Sequence, residues 1–208
     1  MAFLFTLSEV IVSVNIVSEF QFYLNRDRMI ASVKTPKSLE LFLESDVKVA
    51  FLLTGNISVI KKYVELLKKH DRFVFLHLEK IKGISYDKEG LKFIAKFVKP
   101  TGIVTTKSSL IQLAKKEGLI AIQRLFLVDT DAVANGLKVV EEIQPDALEV
   151  MPALIPEMIE KLKLKTSCPL ITGGLIQNQQ HIDQALQSGA VAVSTGKNWL
   201  WKTQNSHE

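Results

Sequence analysis

The chain is 208 residues long, 47% hydrophobic and 23% charged, the composition of an ordinary soluble domain whose core needs no crosslinks. A single cysteine, Cys168, excludes an internal disulfide framework and a thiolate metal cluster, and suits a reducing cytoplasm. The net charge of +4 hints at a polyanionic partner without supplying the footprint of a nucleic-acid-binding domain.

The first stretch, "MAFLFTLSEVIVSVNIVSEFQFYL", is apolar but interrupted by Glu9, Asn15 and Glu19. No positive charge precedes Arg26, which excludes a signal peptide. A membrane span of about 20 residues would bury two carboxylates, which excludes that reading too. Val12, Val14 and Ile16 alternate with Ser13 and Asn15, a pattern that predicts a strand or an accessory arm. An over-extended translation start accounts for it equally well. Residues 1–28 are therefore read as an N-terminal extension, 29–202 as the domain and 203–208 as a polar tail.

Beyond Arg28, short aliphatic runs alternate with segments of helical period. "MIASVK" precedes a helix over Pro36–Ser45, where Thr35 caps and Pro36 suits the first turn. "VAFLLT" precedes Ile57–His70, with Ile60, Tyr63, Val64 and Leu67 on one face. "FVFLH" leads through a polar loop to a helix carrying Leu91, Ile94, Phe97 and Val98. "GIVTT" precedes Ser108–Glu117, stopped by Gly118. "IAIQRLFLVDT" breaks at Gln123 and Arg124, where the strand is expected to leave the core, and Asp129 caps a helix to Ile143. "ALEVM" with Ile155–Leu162, "PLIT" with Gln179–Ser188, and "VAVST" with the tail from Asn198 complete the series. Eight such units predict a single-domain α/β fold, a (β/α)8 TIM-type barrel. The rival, a doubly wound sheet, wants a glycine-rich loop after its first strand, where this chain has "KTPKS".

Barrels carry their sites at the C-terminal ends of the strands. Those ends read Lys34; Thr54 and Gly55; His77 and Glu79; Thr105 and Lys107; Gln123 and Arg124; Glu149 and Pro152; Gly173 and Gly174; Ser194, Thr195 and Gly196. "ITGGLI" and "STGKN", after the seventh and eighth strands, offer glycine turns where backbone N–H groups can meet a phosphate. Lys34, Lys107 and Arg124 bring positive charge, and Glu79 and Glu149 accept from hydroxyls, as in a polyol- or sugar-phosphate pocket. Arg124 reads either as a ligand contact or as an internal ion pair with Glu149. His77 reads as a ligand or base, or as a hydrogen-bonded structural residue. No metal-binding spacing and no nucleophile–base set is recognisable, and a Schiff base on Lys34 or Lys107 is conceivable without being demanded. Cys168 falls at the other end of the barrel and reads as packing.

The segments "IASVK", "LLTGNI", "FLHLEKIKGIS", "GIVTTKS", "AIQRLFLVD", "LEVMPALIP" and "ITGGLI" follow one another between Met29 and Trp201. In these the chain resembles the glycerol-3-phosphate responsive antiterminators of bacteria. The resemblance implies a barrel that binds glycerol 3-phosphate, acts on the leader mRNA of glycerol-utilisation genes and prevents premature termination. It implies no catalysis and no cofactor. The strand-end positions then place phosphate at Gly173–Gly174 and Ser194–Gly196, with Lys34, Lys107, Arg124 and Glu149 around the glycerol part; Gly55, His77 and Glu79 complete the candidate set. The family tends to have Asp where this chain has Glu79, and a serine or other small polar residue where it has Gly196. Lys80, Lys82 and Lys88, on the ligand side, are the candidate RNA contacts; Lys61, Lys62, Lys68, Lys69 and Arg72 on the second helix are the alternative. A phosphosugar or polyol-phosphate enzyme of aldolase or isomerase type, and a sensor acting through a protein partner, are the other readings. The sequence leaves a homo-oligomer open.

Overall fold

Eight short strands alternate with helices in chain order, and the last strand pairs with the first. The structure, a computed structural model, describes residues 7–202, with side chains from Ile16 onward. The expected polar tail at 203–208 lies outside the described residues. The strands are β1 (Met29–Val33), β2 (Val49–Leu52), β3 (Phe73–His77), β4 (Gly102–Thr105), β5 (Ile120–Phe126), β6 (Ala147–Met151), β7 (Leu170–Gly173) and β8 (Ala192–Thr195). All neighbours are parallel and the β1–β8 pair closes the ring, so the fold is a TIM-type barrel. The helices are α1 (Leu7–Asp27), α2 (Pro36–Glu44), α3 (Ile60–Lys69), α4 (Lys88–Phe93), α5 (Ile111–Lys116), α6 (Thr130–Ile143), α7 (Pro156–Lys165) and α8 (Gln179–Gln187). A single tight turn, Asn198–Leu200, follows β8. No helix among the described residues is long and apolar enough to cross a membrane.

Local chemistry sets many of these boundaries. Thr35 and Ser38 form a reciprocal capping box with Pro36 in the first turn of α2. Asp129 accepts from Ala132 N at 2.7 Å and starts α6, as its position in the sequence suggested. Asn178 does the same for α8 by accepting from His181 N. Three expectations change. Residues Leu7–Asp27 of the N-terminal segment form a helix, where the alternation pointed to a strand. Strand β5 runs on to Phe126, so Gln123 and Arg124 lie within the ladder instead of ending it. The helix after β3 widens into a π-turn over Ile94–Val98, and the extra residue per turn swings Phe97 outward, where it is 60% exposed.

Two apolar clusters follow from the period-2 alternation of the strands. Ala31, Leu52, Leu76, Ile103 and Leu148 face outward and pack with the helix residues Phe42, Leu67, Ile159 and Ile182. Ile30, Phe51, Phe75, Val104, Ile122 and Ile171 form a second cluster inside the barrel, which Phe20 and Leu24 of α1 join. The Phe20 ring lies 4.7 Å from Phe75, and Tyr23 lies 5.3 Å from Phe73. Asp27, fully buried, accepts from Lys48 N, while Arg28 O accepts from Val193 N. Helix α1 thus seals the N-terminal end of the barrel. Phe20→Ala is expected to cost about 3–5 kcal/mol. Urea denaturation should show a lower midpoint at unchanged slope; an unchanged midpoint would unseat α1 from the barrel floor.

Candidate functional site

Along each strand the inward positions turn from apolar to polar on approaching the C-terminal end. On β5 they are Ile120, Ile122 and then Arg124; on β3, Phe73, Phe75 and then His77; on β6, Ala147 and then Glu149. Arg124 and Glu149 are register partners across β5 and β6. Arg124 Nε donates to Glu149 Oε2 at 2.7 Å, and Ser194 Oγ donates to Glu149 Oε1 at 2.7 Å. Glu149 is wholly buried and Arg124 is 5% exposed. The internal ion pair is therefore formed. The same guanidinium also lines the cavity above it, so the pair and a ligand contact are compatible roles. Gly173 has a steric reason: a Cβ there would collide with Ser194 Oγ and break this arrangement.

A cavity of about 340 Å³ opens over this layer, between the loops after β7 and β8 and the end of β1. Five candidates, Lys34, Arg124, Gly174, Ser194 and Gly196, meet in its wall. Gly174 has φ +81°, a left-handed conformation that disfavours a β-branched residue. At Gly196 a Cβ would press on the Lys34 side chain, 3.1 Å from its Nζ. Trp201 steadies the β8 loop by donating Nε1 to Thr195 O at 2.8 Å, with its ring edge-on to Phe42. Ser32, Gln177 and Lys197 also line the cavity and were not singled out from the sequence. Ser32 was legible in principle, being two residues before Lys34 on the same side of a strand. Gln177 and Lys197 reach the cavity only because their loops fold back.

The remaining candidates divide differently. His77 is 3% exposed, and neither of its ring nitrogens makes a hydrogen bond. Glu79 Oε1 accepts from Thr105 Oγ1, Thr106 N and Thr106 Oγ1, at 2.7, 2.8 and 2.9 Å. Its Oε2 is buried, unbonded and 3.8 Å from His77 Nδ1. Burial and then the Arg124 charge push the imidazole down to about 4. At Glu79 burial pushes upward, but the bonds from Thr105 and Thr106 outweigh it and hold the carboxyl below its ordinary value. Gln123 spends its amide N–H groups on Thr106 O and Arg124 O. The Lys107 ammonium donates to Tyr86 O at 3.2 Å, which ties it to the loop after β3. Gly55 O accepts from Lys82 N, so the β2 and β3 loops are joined, and Lys80, Lys82 and Lys88 are exposed there. Cys168 is half-buried at the opposite end, its thiol pushed up to about 12 by burial and then by Asp146.

Residues 29–201 match the family of glycerol-3-phosphate responsive antiterminators. The chain belongs to that family. Among similar antiterminators of known structure, the glycerol uptake operon antiterminator regulatory protein of Listeria monocytogenes is 32% identical with a TM-score of 0.80, over 83% of this chain and 94% of the other. A glycerol uptake operon antiterminator-related protein of Thermotoga maritima is 28% identical with a TM-score of 0.74, over 83% and 96%. YgcP, an uncharacterised protein of Escherichia coli K12, is 32% identical over 178 residues, 86% of this chain and 93% of its own length. The family match begins at the first residue of β1, so α1 stands outside it.

Two measurements test this antiterminator barrel's polar layer. Glu149→Gln leaves a buried guanidinium without its counter-charge and should cost about 3–5 kcal/mol in chemical denaturation. Replacing the pair together, Arg124→Met with Glu149→Leu, should recover most of that loss. His77 has an ordinary value of 6.5 when unfolded and about 4 when folded. Between those pH values the unfolded chain binds a proton that the folded chain refuses, so stability falls as pH drops through that window. His77→Leu should flatten the fall in melting temperature between pH 6.5 and 4; an unaltered profile would contradict the burial of a neutral imidazole.

Proposed function

We propose that the cavity binds glycerol 3-phosphate and that occupancy controls binding, in the cytoplasm, to the leader mRNA of glycerol-utilisation genes, promoting read-through of a terminator. The observation that carries this reading is the convergence of two glycine turns and the Lys34 ammonium on one cavity over the β7 and β8 loops. Backbone N–H groups exposed at glycines, next to a cation, are the usual physical means of holding a phosphate. The volume of about 340 Å³ suits a small ligand. The glycerol hydroxyls are assigned to Ser32 and Arg124 in the cavity wall, while the His77–Glu79 pair stands outside that wall, within reach of the Arg124 charge. A neutral imidazole can both donate and accept, and the unpartnered buried atoms of His77 and Glu79 call for polar partners. Membership of a glycerol-3-phosphate responsive antiterminator family supports both halves of the proposal.

The enzyme reading has less support from the residues. Lys34 is exposed, and Lys107 is engaged by Tyr86, so neither ammonium sits in the apolar surroundings that activate a Schiff-base lysine. Calorimetry should show glycerol 3-phosphate binding, with glycerol alone far weaker. Lys34→Glu should weaken the phosphate ligand about 10- to 100-fold, and Gly174→Val should abolish binding while the barrel stays folded. A gel shift of the host's leader transcript should respond to glycerol 3-phosphate. Conversion of the ligand during the titration would favour the enzyme, and binding without any RNA shift would favour a sensor with a protein partner.

A further inference from the structure

Helices cover the outer faces of the strands, yet large apolar side chains remain exposed around the mouth of the barrel. Ile57, Tyr86, Phe126, Val128, Leu175 and Trp199 all lie in or at the start of loops that leave the C-terminal ends of strands. Charge divides this rim in two. The loops after β5, β6 and β7 contain no lysine or arginine, and Asp129, Asp131 and Glu157 stand at the starts of the helices that follow β5 and β6. The loops after β8, β1, β3 and β4 carry Lys197, Lys34, Lys80, Lys82 and Lys107. Closure of the barrel makes these loops one arc, bridged by the β2 loop, where Ile57 N donates to Lys82 O. The acidic groups within the arc are already engaged. Glu79 is held by Thr105 and Thr106, Asp87 caps α4, and Glu89 pairs with Lys92 at 3.3 Å.

Two aromatic rings stand toward the ends of this arc, each with an ammonium over it. Lys197 Nζ lies 5.0 Å from the Trp199 ring centre, and Lys107 Nζ lies 5.2 Å from that of Tyr86. Trp199 remains 59% exposed and Tyr86 37%. A flat ring beside a cation matches the two parts of an unpaired nucleotide, a base to stack and a phosphate to neutralise. A duplex would keep its bases away from such rings.

We infer that this arc holds single-stranded RNA, its bases stacked on Trp199 and Tyr86 and its phosphates on Lys197, Lys107, Lys82 and Lys80. The inference rests on the proposed leader-RNA function and assigns the surface and the strandedness. The opposite half of the rim, with Phe126, Val128 and the carboxylates, takes no RNA. Trp199 sits in the turn Asn198–Leu200, which follows Gly196 and Lys197 in the wall of the phosphate cavity, so a ligand that orders this loop also positions the ring.

The test uses the full chain and the labelled leader transcript of the host's glycerol-utilisation genes. Anisotropy is read for the transcript alone and annealed to its complement, with saturating glycerol 3-phosphate. Trp199→Ala and Tyr86→Ala should each weaken binding of the unannealed transcript about 5- to 150-fold, with melting temperatures kept. Phe126→Ala should leave it unchanged. Lys82→Glu should reduce the salt slope by about 0.7 or more. If the wild-type chain binds the transcript but both aromatic variants bind equally well, or the annealed form binds better, the arc is wrong while the RNA function stands. If the wild-type chain binds neither form, the proposed function itself fails, and the inference with it.

Discussion

The interior of an eight-stranded barrel is just wide enough to be filled by side chains, and every second residue of every strand must help to fill it. In this chain the filling changes character along the axis. At one end α1 inserts Phe20 and Leu24 against Phe75 and its neighbours, so apolar side chains close the barrel there, with the buried Asp27 beside them held by Lys48 N. One pleat beyond the apolar layers, the inward positions belong to His77, Arg124, Glu149 and Ser194. The polar mouth and the apolar floor are two ends of one packing problem.

The Arg124–Glu149 pair is best understood as a positioning device. A buried pair adds little net stability over well-packed apolar residues, because both ions give up their hydration. Once its geometry is complete, though, neither member can move without leaving a charge stranded. Both Glu149 oxygens are occupied, one by Arg124 and the other by Ser194, and Gly173 is the residue that makes room for the serine. The result is a guanidinium fixed beneath the cavity. Its charge, together with burial, also keeps His77 neutral, so the floor carries one cation beside groups that can both donate and accept. That arrangement complements a small anion with hydroxyls.

Charge on the rim has a local origin and a collective effect. Asp129 caps α6, and Asp131 and Glu157 occupy the first turns of α6 and α7, where carboxylates suit the positive end of a helix. Lysines meanwhile fall in loops that are distant in sequence, after β1, β3, β4 and β8. Ring closure between β1 and β8 converts those scattered residues into one continuous cationic arc adjoining the cavity. The proposed ligand cavity and the inferred RNA arc share that half of the mouth.

The sequence by itself determined the strand–helix alternation, the caps at Thr35 and Asp129, and the strand ends at which polar residues collect. These are local properties, set by period, turn chemistry and side-chain type within a few residues. It did not determine α1, because Val12, Val14 and Ile16 satisfy a strand's alternation as easily as part of a helix, and only the open barrel floor demands the helix. Nor did it reveal the outward swing of Phe97, which depends on a π-turn that leaves no mark in the apolar spacing. The candidate site was half legible. Lys34, Arg124, Gly174, Ser194 and Gly196 meet at the cavity, whereas Lys107 is drawn away to Tyr86 and Gly173 serves Ser194. Periodicity tells which way a side chain points from its own strand. Which groups it meets there is decided by barrel closure and by loops that fold back, and those are contacts between residues far apart in the chain.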